Sequence, residues 1–179
     1  MNLSNSLMGQ AFNDVVGSKL TALSDGNYVV SSWDWRNGTF TRAGAVTWGN
    51  GQGGTVGLVS ASNSLVGGRV DDRIGRTDLA SLGPGATALP DGNYVIPSQY
   101  FIGSLTRGAV TLGMRPSAGV GRQTGVLTGA RLTAPGGMET SNNFTARTDY
   151  YAPSKTLAVG QSANNRVVLL ETMFTEGFE

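Results

Sequence analysis

The residues best equipped for chemistry in this chain are a small set of tryptophans and a series of acidic turns. Trp33-Asp34-Trp35 puts two rings at alternate positions, so an extended backbone shows both on one face and Asp34 on the other. Exposed tryptophans of this kind take sugars or partner proteins. Trp33, Asp34, Trp35 and Trp48 are therefore the candidate binding residues, for a glycan or a protein ligand. The same rings also suit packing between repeated units, and a looser aromatic pair in Gln99-Tyr100-Phe101 favours that use. Asp25-Gly26-Asn27 and Asp91-Gly92-Asn93 carry loop oxygens, but Asp and Asn capping around a glycine of positive φ explains both as turns. Asn13-Asp14 and Asp71-Asp72 offer two side chains each, fewer than the converging oxygens calcium needs. Capping of backbone N–H groups is their simpler role. No cofactor is expected, and calcium has no support.

Other reaction classes fall on missing residue types. There is no histidine and no cysteine. This removes His-based triads, thiol nucleophiles, His and Cys metal ligands and disulfides. The run Trp48-Gly49-Asn50-Gly51-Gln52-Gly53-Gly54 lacks the Gly-Lys-Ser/Thr and the helix of a phosphate loop. Gly119-Val120-Gly121-Arg122-Gln123-Thr124 lacks the helix that a dinucleotide fingerprint opens. Two carboxylates across a glycosidic bond could hydrolyse it, but the acids here sit in turns with no distinctive pair on neighbouring strands. The sequons Asn37-Gly38-Thr39 and Asn143-Phe144-Thr145 matter only in a eukaryotic secretory host. The chain reads as a non-enzyme.

Composition narrows the partners. Charged residues are 14% of the chain, against roughly 25% in average soluble proteins. The 13 basic and 12 acidic residues are scattered, so no basic stripe marks a nucleic-acid surface and no Lys/Arg run marks a membrane anchor. The apolar runs are too short for a membrane-spanning helix. The first residues, Met1-Asn2-Leu3-Ser4-Asn5, lack the basic and apolar regions of a signal peptide.

The elements that position these residues repeat. Thr21–Val30 returns as Thr87–Ile96 with eight of ten positions identical, and Asn5–Gly9 returns as Asn63–Gly67. Asn13–Gly17 returns as Asp71–Gly75, and Gly44–Thr47 as Gly108–Thr111. The unequal offsets place an eight-residue insertion near Asp78–Gly85. A degenerate third copy has strands at Thr156–Gln161 and Asn165–Leu170. The units are approximately residues 18–75, 76–145 and 146–172, followed by a tail at 173–179. Asn27–Ser32 is apolar on consecutive positions, which suits a strand covered on both faces. Gly44–Trp48 and Val56–Ala61 are further strands, Leu65–Gly67 a short outer one, and helix content is near zero. Short strands with Gly/Asn turns in units of about 60 residues read as an all-β chain of propeller-like blades. About three blades are too few for ordinary closure and make a partial or open ring, although Leu3–Gly9 could in principle finish the blade begun by Thr156–Leu170. A β-solenoid or a sandwich is the alternative. An open arc leaves blade edges free for self-association.

Two families share these strings. The order Asp14–Gly17, Asn27–Ser32, Gly44–Thr47, repeated at Asp72–Gly75, Asn93–Ser98 and Gly108–Thr111, resembles the FG-GAP repeat of integrin-type β-propellers. The stretch from Leu23 to Gly75 looks like a tandem repeat of large bacterial exoproteins of filamentous-haemagglutinin type. The first resemblance implies a propeller, although no Asp-x-Asp-x-Asp-Gly calcium loop stands here. The second implies an extracellular or cell-surface bacterial protein with an adhesive role. The ending Gly177-Phe178-Glu179 is similar to endings of secreted gammaproteobacterial proteins, which implies a natural C-terminus with truncation on the N-terminal side.

Overall fold

The computed structural model describes residues 2–78, 85–102, 107–115, 124–128, 137–139, 146–154, 156–161 and 166–171. Among these the chain is all-β, with one 3₁₀ turn at Ala152–Ser154 and no α-helix. Three antiparallel meanders follow one another. The first runs β2 (Lys19–Ala22), β3 (Tyr28–Ser32), β4 (Ala45–Gly49). The second runs β7 (Thr87–Ala88), β8 (Tyr94–Ile102), β9 (Arg107–Gly113). The third runs β12 (Ala146–Tyr151), β13 (Thr156–Gln161), β14 (Arg166–Glu171), so the degenerate copy forms the same local structure. The sheets are small, and none closes into a barrel.

A fourth strand completes two of the meanders. β6 (Ser64–Val66) pairs antiparallel with β4, and β11 (Gly137–Glu139) pairs antiparallel with β9. Two-residue strands add two parallel ties, one of them from unit 2 to unit 1. β10 (Gly125–Val126) pairs in parallel with β6, and β5 (Gly57–Leu58) pairs in parallel with β1 (Leu7–Met8). We call β2–β6 unit 1, β7–β11 unit 2 and β12–β14 unit 3. The strand expected over Val56–Ala61 is reduced to Gly57–Leu58, because a turn bonded from the Ser64 N–H to the Ser60 carbonyl begins directly after it. Among the described residues Leu7–Met8 pairs with Gly57–Leu58 and not with the third meander.

Period-two alternation decides which unit each residue meets. In unit 1, Val29, Val46 and Trp48 point forward and cluster with Ala86, Tyr94, Ile96, Phe101 and Leu127 of unit 2. In unit 2, Val95, Val110 and Leu112 point forward and cluster with Leu157 and Val159 of unit 3. Burial of a Leu or Val side chain stabilises by about 1.5–3 kcal/mol, and isolated small sheets are marginal. Face-to-face stacking is therefore what holds the units.

Three glycines are dictated by close approach. A Cβ on Gly44 would lie 2.2 Å from the Ile74 nitrogen, and its φ of +80° is left-handed. Gly49 and Gly113 each lie under a tyrosine ring, Tyr28 and Tyr94, which occupies the space of the absent side chain.

Candidate functional site

The repeated acidic turns are the best-defined polar geometry in the molecule. Asp14 Oδ2 accepts from the N–H groups of Gln10 (2.7 Å) and Ala11 (2.8 Å), and its Oδ1 accepts from Arg36 N–H (3.1 Å). Asp72 does the same with Gly68 (2.9 Å), Arg69 (2.9 Å) and Ile102 (3.1 Å). Both carboxylates are buried. Each clasps its own turn and either the segment after β3 (Asp14) or the last residue of β8 (Asp72). Burial pushes the Asp72 carboxyl up, against the downward pull of its three N–H donors. The turns add a second bond, from Gly17 N–H to Ser32 Oγ and from Gly75 N–H to Ser98 Oγ. Those partners lie 15 and 23 residues apart, which is the eight-residue insertion expected from the sequence. Residues 79–84 of that insertion lie outside the described residues.

The Asp-Gly-Asn turns are also built from backbone contacts. Asn27 N–H donates to Asp25 Oδ1 and Asn93 N–H to Asp91 Oδ1. They line up between units: Ser24 Oγ donates to the Pro90 carbonyl (2.9 Å), and Tyr150 O–H of unit 3 donates to Asp91. Burial and this bond push the Tyr150 phenol up to about 12.

The four candidate binding residues do not form one surface. Trp35 and Trp48 are buried in separate clusters, Trp48 between units 1 and 2 and Trp35 beside Ala45, Val59 and Val66. Trp33 and Asp34 are half-buried. Trp33-Asp34-Trp35 lies just past β3, where Trp35 N–H bonds to the Ser32 carbonyl in a turn, so strand alternation does not carry through it. Phe101 is the counterpart of Trp35: each directly precedes the N–H held by its aspartate, and each is 2% exposed.

What Trp33 and Asp34 do join is a rim that linear reading missed. The Arg76 guanidinium lies over Trp33 (5.9 Å) and over Tyr100 (5.8 Å), and Arg73 lies over the same Tyr100 (5.8 Å). Arg73 also bridges to Asp34 (3.3 Å) and Asp71 (3.4 Å), and Arg42 grips Asp71 with two bonds (2.5 and 2.9 Å). Hydrogen bonding to Arg42 holds the Asp71 carboxyl below its usual range, and the Tyr100 hydroxyl does so for Asp78. Val15, Arg42, Asp71 and Arg73 all have positive φ here, from 43° to 65°. Val15 is β-branched, for which this conformation is an outlier. It shares its place after the clasping aspartate with Arg73, so the strain belongs to the turn. A polar groove of about 480 Å³ opens beside the rim, lined by Asp34, Arg36, Arg42 and Arg73 among others. Its charges are mixed and mostly paired, which suits a polar ligand or partner better than a strongly charged one. The described residues contain no group of three or more acids placed to hold a metal ion. No helix among them is long and apolar enough to cross a membrane.

Repeated meanders, repeated clasps and repeated stacking faces define an all-β repeat protein. The comparison with family models agrees. The chain belongs to DUF5650, a repeat of unknown function, whose model matches residues 22–76 and 88–127, more than half of the chain. No curated protein and no solved structure matches it.

Proposed function

We propose that this chain is a non-enzymatic structural and adhesive repeat module of a bacterial secreted or cell-surface protein, built from blade-like units in an open arc. One observation carries the reading. The carboxylates with the most specific geometry, Asp14 and Asp72, direct their oxygens to backbone N–H groups in the same pattern twice. The repetition therefore serves assembly of units. Face-to-face stacking of antiparallel meanders supports blades, and the resemblance to FG-GAP repeats and filamentous-haemagglutinin-type exoproteins supports the compartment and adhesive role. The test is incubation of purified protein with a panel of polysaccharides. No turnover is expected; hydrolysis or elimination products would overturn the reading.

The half-buried Trp33 favours a second reading, a glycan- or protein-binding rim. One face of its ring is engaged by Arg76, so the rim would bind with Trp33 and Tyr100 together. A glycan array compares wild type with Trp33→Ala and Tyr100→Ala. Signal lost in both variants supports rim binding, and no signal from wild type ends it for glycans.

A further inference from the structure

We infer that the chain binds a second copy of itself head to tail, the forward face of unit 3 docking on the rear face of unit 1 as unit 1 docks on unit 2. The inference goes beyond the module reading and does not depend on it.

The repeat states what each face is built to meet. The rear face of unit 2 carries Ala86 and Tyr94, and Leu65 of β6 and Ile74 of the following turn pack beside them, all within one cluster with unit 1's Leu23, Val29, Val46 and Trp48. The repeat offsets map Ala86 and Tyr94 onto Leu20 and Tyr28 of unit 1, and Leu65 and Ile74 onto Leu7 and Val16 just ahead of it. These line an open groove of about 450 Å³ together with Val30, the counterpart of Ile96. Ala86 is 6% exposed, whereas Leu20 in the same place is 63% exposed. At the other end, pairing of Gly160 with Val167 and Ala158 with Leu169 makes these two the counterparts of Val110 and Leu112. Val110 and Leu112 are 0% and 1% exposed under unit 3, while Val167 and Leu169 are 65% and 61% exposed. The chain thus presents one rear face and one forward face of the kind it joins twice internally.

Strand edges give an independent match. β6 is paired on both sides, with β4 and β10; among the described residues β1 pairs only with β5. β4 and β9 each carry a fourth strand; among the described residues β14 pairs only with β13. A copy docked by its rear face brings its β1 to the partner copy's β14 edge, which gives that meander its fourth strand. Transferring the pairing Val46↔Leu65 sets the register at Val167↔Leu7. The two faces differ, so the contact is heterologous and propagates into a ring or a filament.

The test uses two measurements on the full chain. In light scattering, wild type is expected to form concentration-dependent oligomers. Leu20→Glu and Leu169→Glu, both at exposed positions and checked for native circular dichroism, are each expected to be monomeric. Mixed one to one they keep one intact face each, and a heterodimer is expected. The chain has no cysteine, so Leu7→Cys with Val167→Cys reports the register cleanly. Antiparallel partners sit about 4.5–5.5 Å apart between Cα atoms, within disulfide reach. Oxidation is expected to give a ladder of linked copies. Monomeric wild type, a mixture that stays monomeric, or a disulfide formed only within one chain would each overturn the inference.

Discussion

Units 1 and 2 hold the same aspartate in the same three hydrogen bonds, yet the path between the bonded groups is 22 residues in one and 30 in the other. The insertion is absorbed between the clasp and the next meander. It re-enters the shared frame at Gly85, whose N–H meets the Gly75 carbonyl, and at Ala86, whose N–H meets Ser31 Oγ. Geometry that survives an insertion is what the fold requires. Positions that differ between the units are the ones left free for something else. Trp33 and Asp34 align with Gln99 and Tyr100, so the rim differs in chemistry between the two units.

That contrast can be broken first at the aromatic that differs while its burial does not. Trp35→Ala is expected to cost about 3–5 kcal/mol in denaturant melts, as for other buried large side chains. Trp35→Phe puts unit 2's residue into unit 1 and removes an indole N–H that has no partner among the described residues. Its expected cost is under about 1 kcal/mol. Next come the clasps. Asp72→Ala strands three N–H groups and is expected to cost about 3 kcal/mol; Asp14→Ala should cost less, because its unit has one covered face rather than two.

The link between units 2 and 3 is open to a pH test. Folding raises the Tyr150 phenol to about 12 from an ordinary 10. An acid whose folded value is raised contributes stability that is complete below its unfolded value and lost as pH rises through the folded one. Unit 3 packing is thus expected to weaken between pH 10 and 12. Absorbance titration should show a late-ionising tyrosine that disappears in Tyr150→Phe. The smallest contrast is a hydroxyl pair. Thr47 Oγ1 and Ser64 Oγ are 2.6 Å apart, whereas Thr111 faces Gly137 and its buried hydroxyl has no partner among the described residues. Thr47→Val is expected to cost about 1 kcal/mol and Thr111→Val to be neutral or stabilising.

Much of the local structure was legible in the sequence because its causes are local. Asp-Gly-Asn turns, apolar strands and capping aspartates are set by neighbours a few residues away, and near-identical copies displayed each signal twice. The non-local features were not legible. The parallel tie of β10 to β6 joins residues 60 apart through two-residue strands too short for a periodicity to show. The rim joins Trp33 to Arg76 and Tyr100 through the stacking of two units, and no linear spacing encodes that. Alternation suggested Trp33 and Trp35 on one face, but the chain leaves the strand at Ser32 and turns, burying one ring and leaving the other at the rim.

Amide hydrogen exchange tests most directly whether the two clasps are one structural device. Gln10 and Arg69 lie at the exposed surface and Ala11 beside them, where free amides exchange quickly. Both the Gln10, Ala11, Arg36 set and the Gly68, Arg69, Ile102 set should be protected in the native protein. Asp14→Ala should release the first set alone and Asp72→Ala the second set first. Amides of either set exchanging at unprotected rates in the wild-type protein would contradict this.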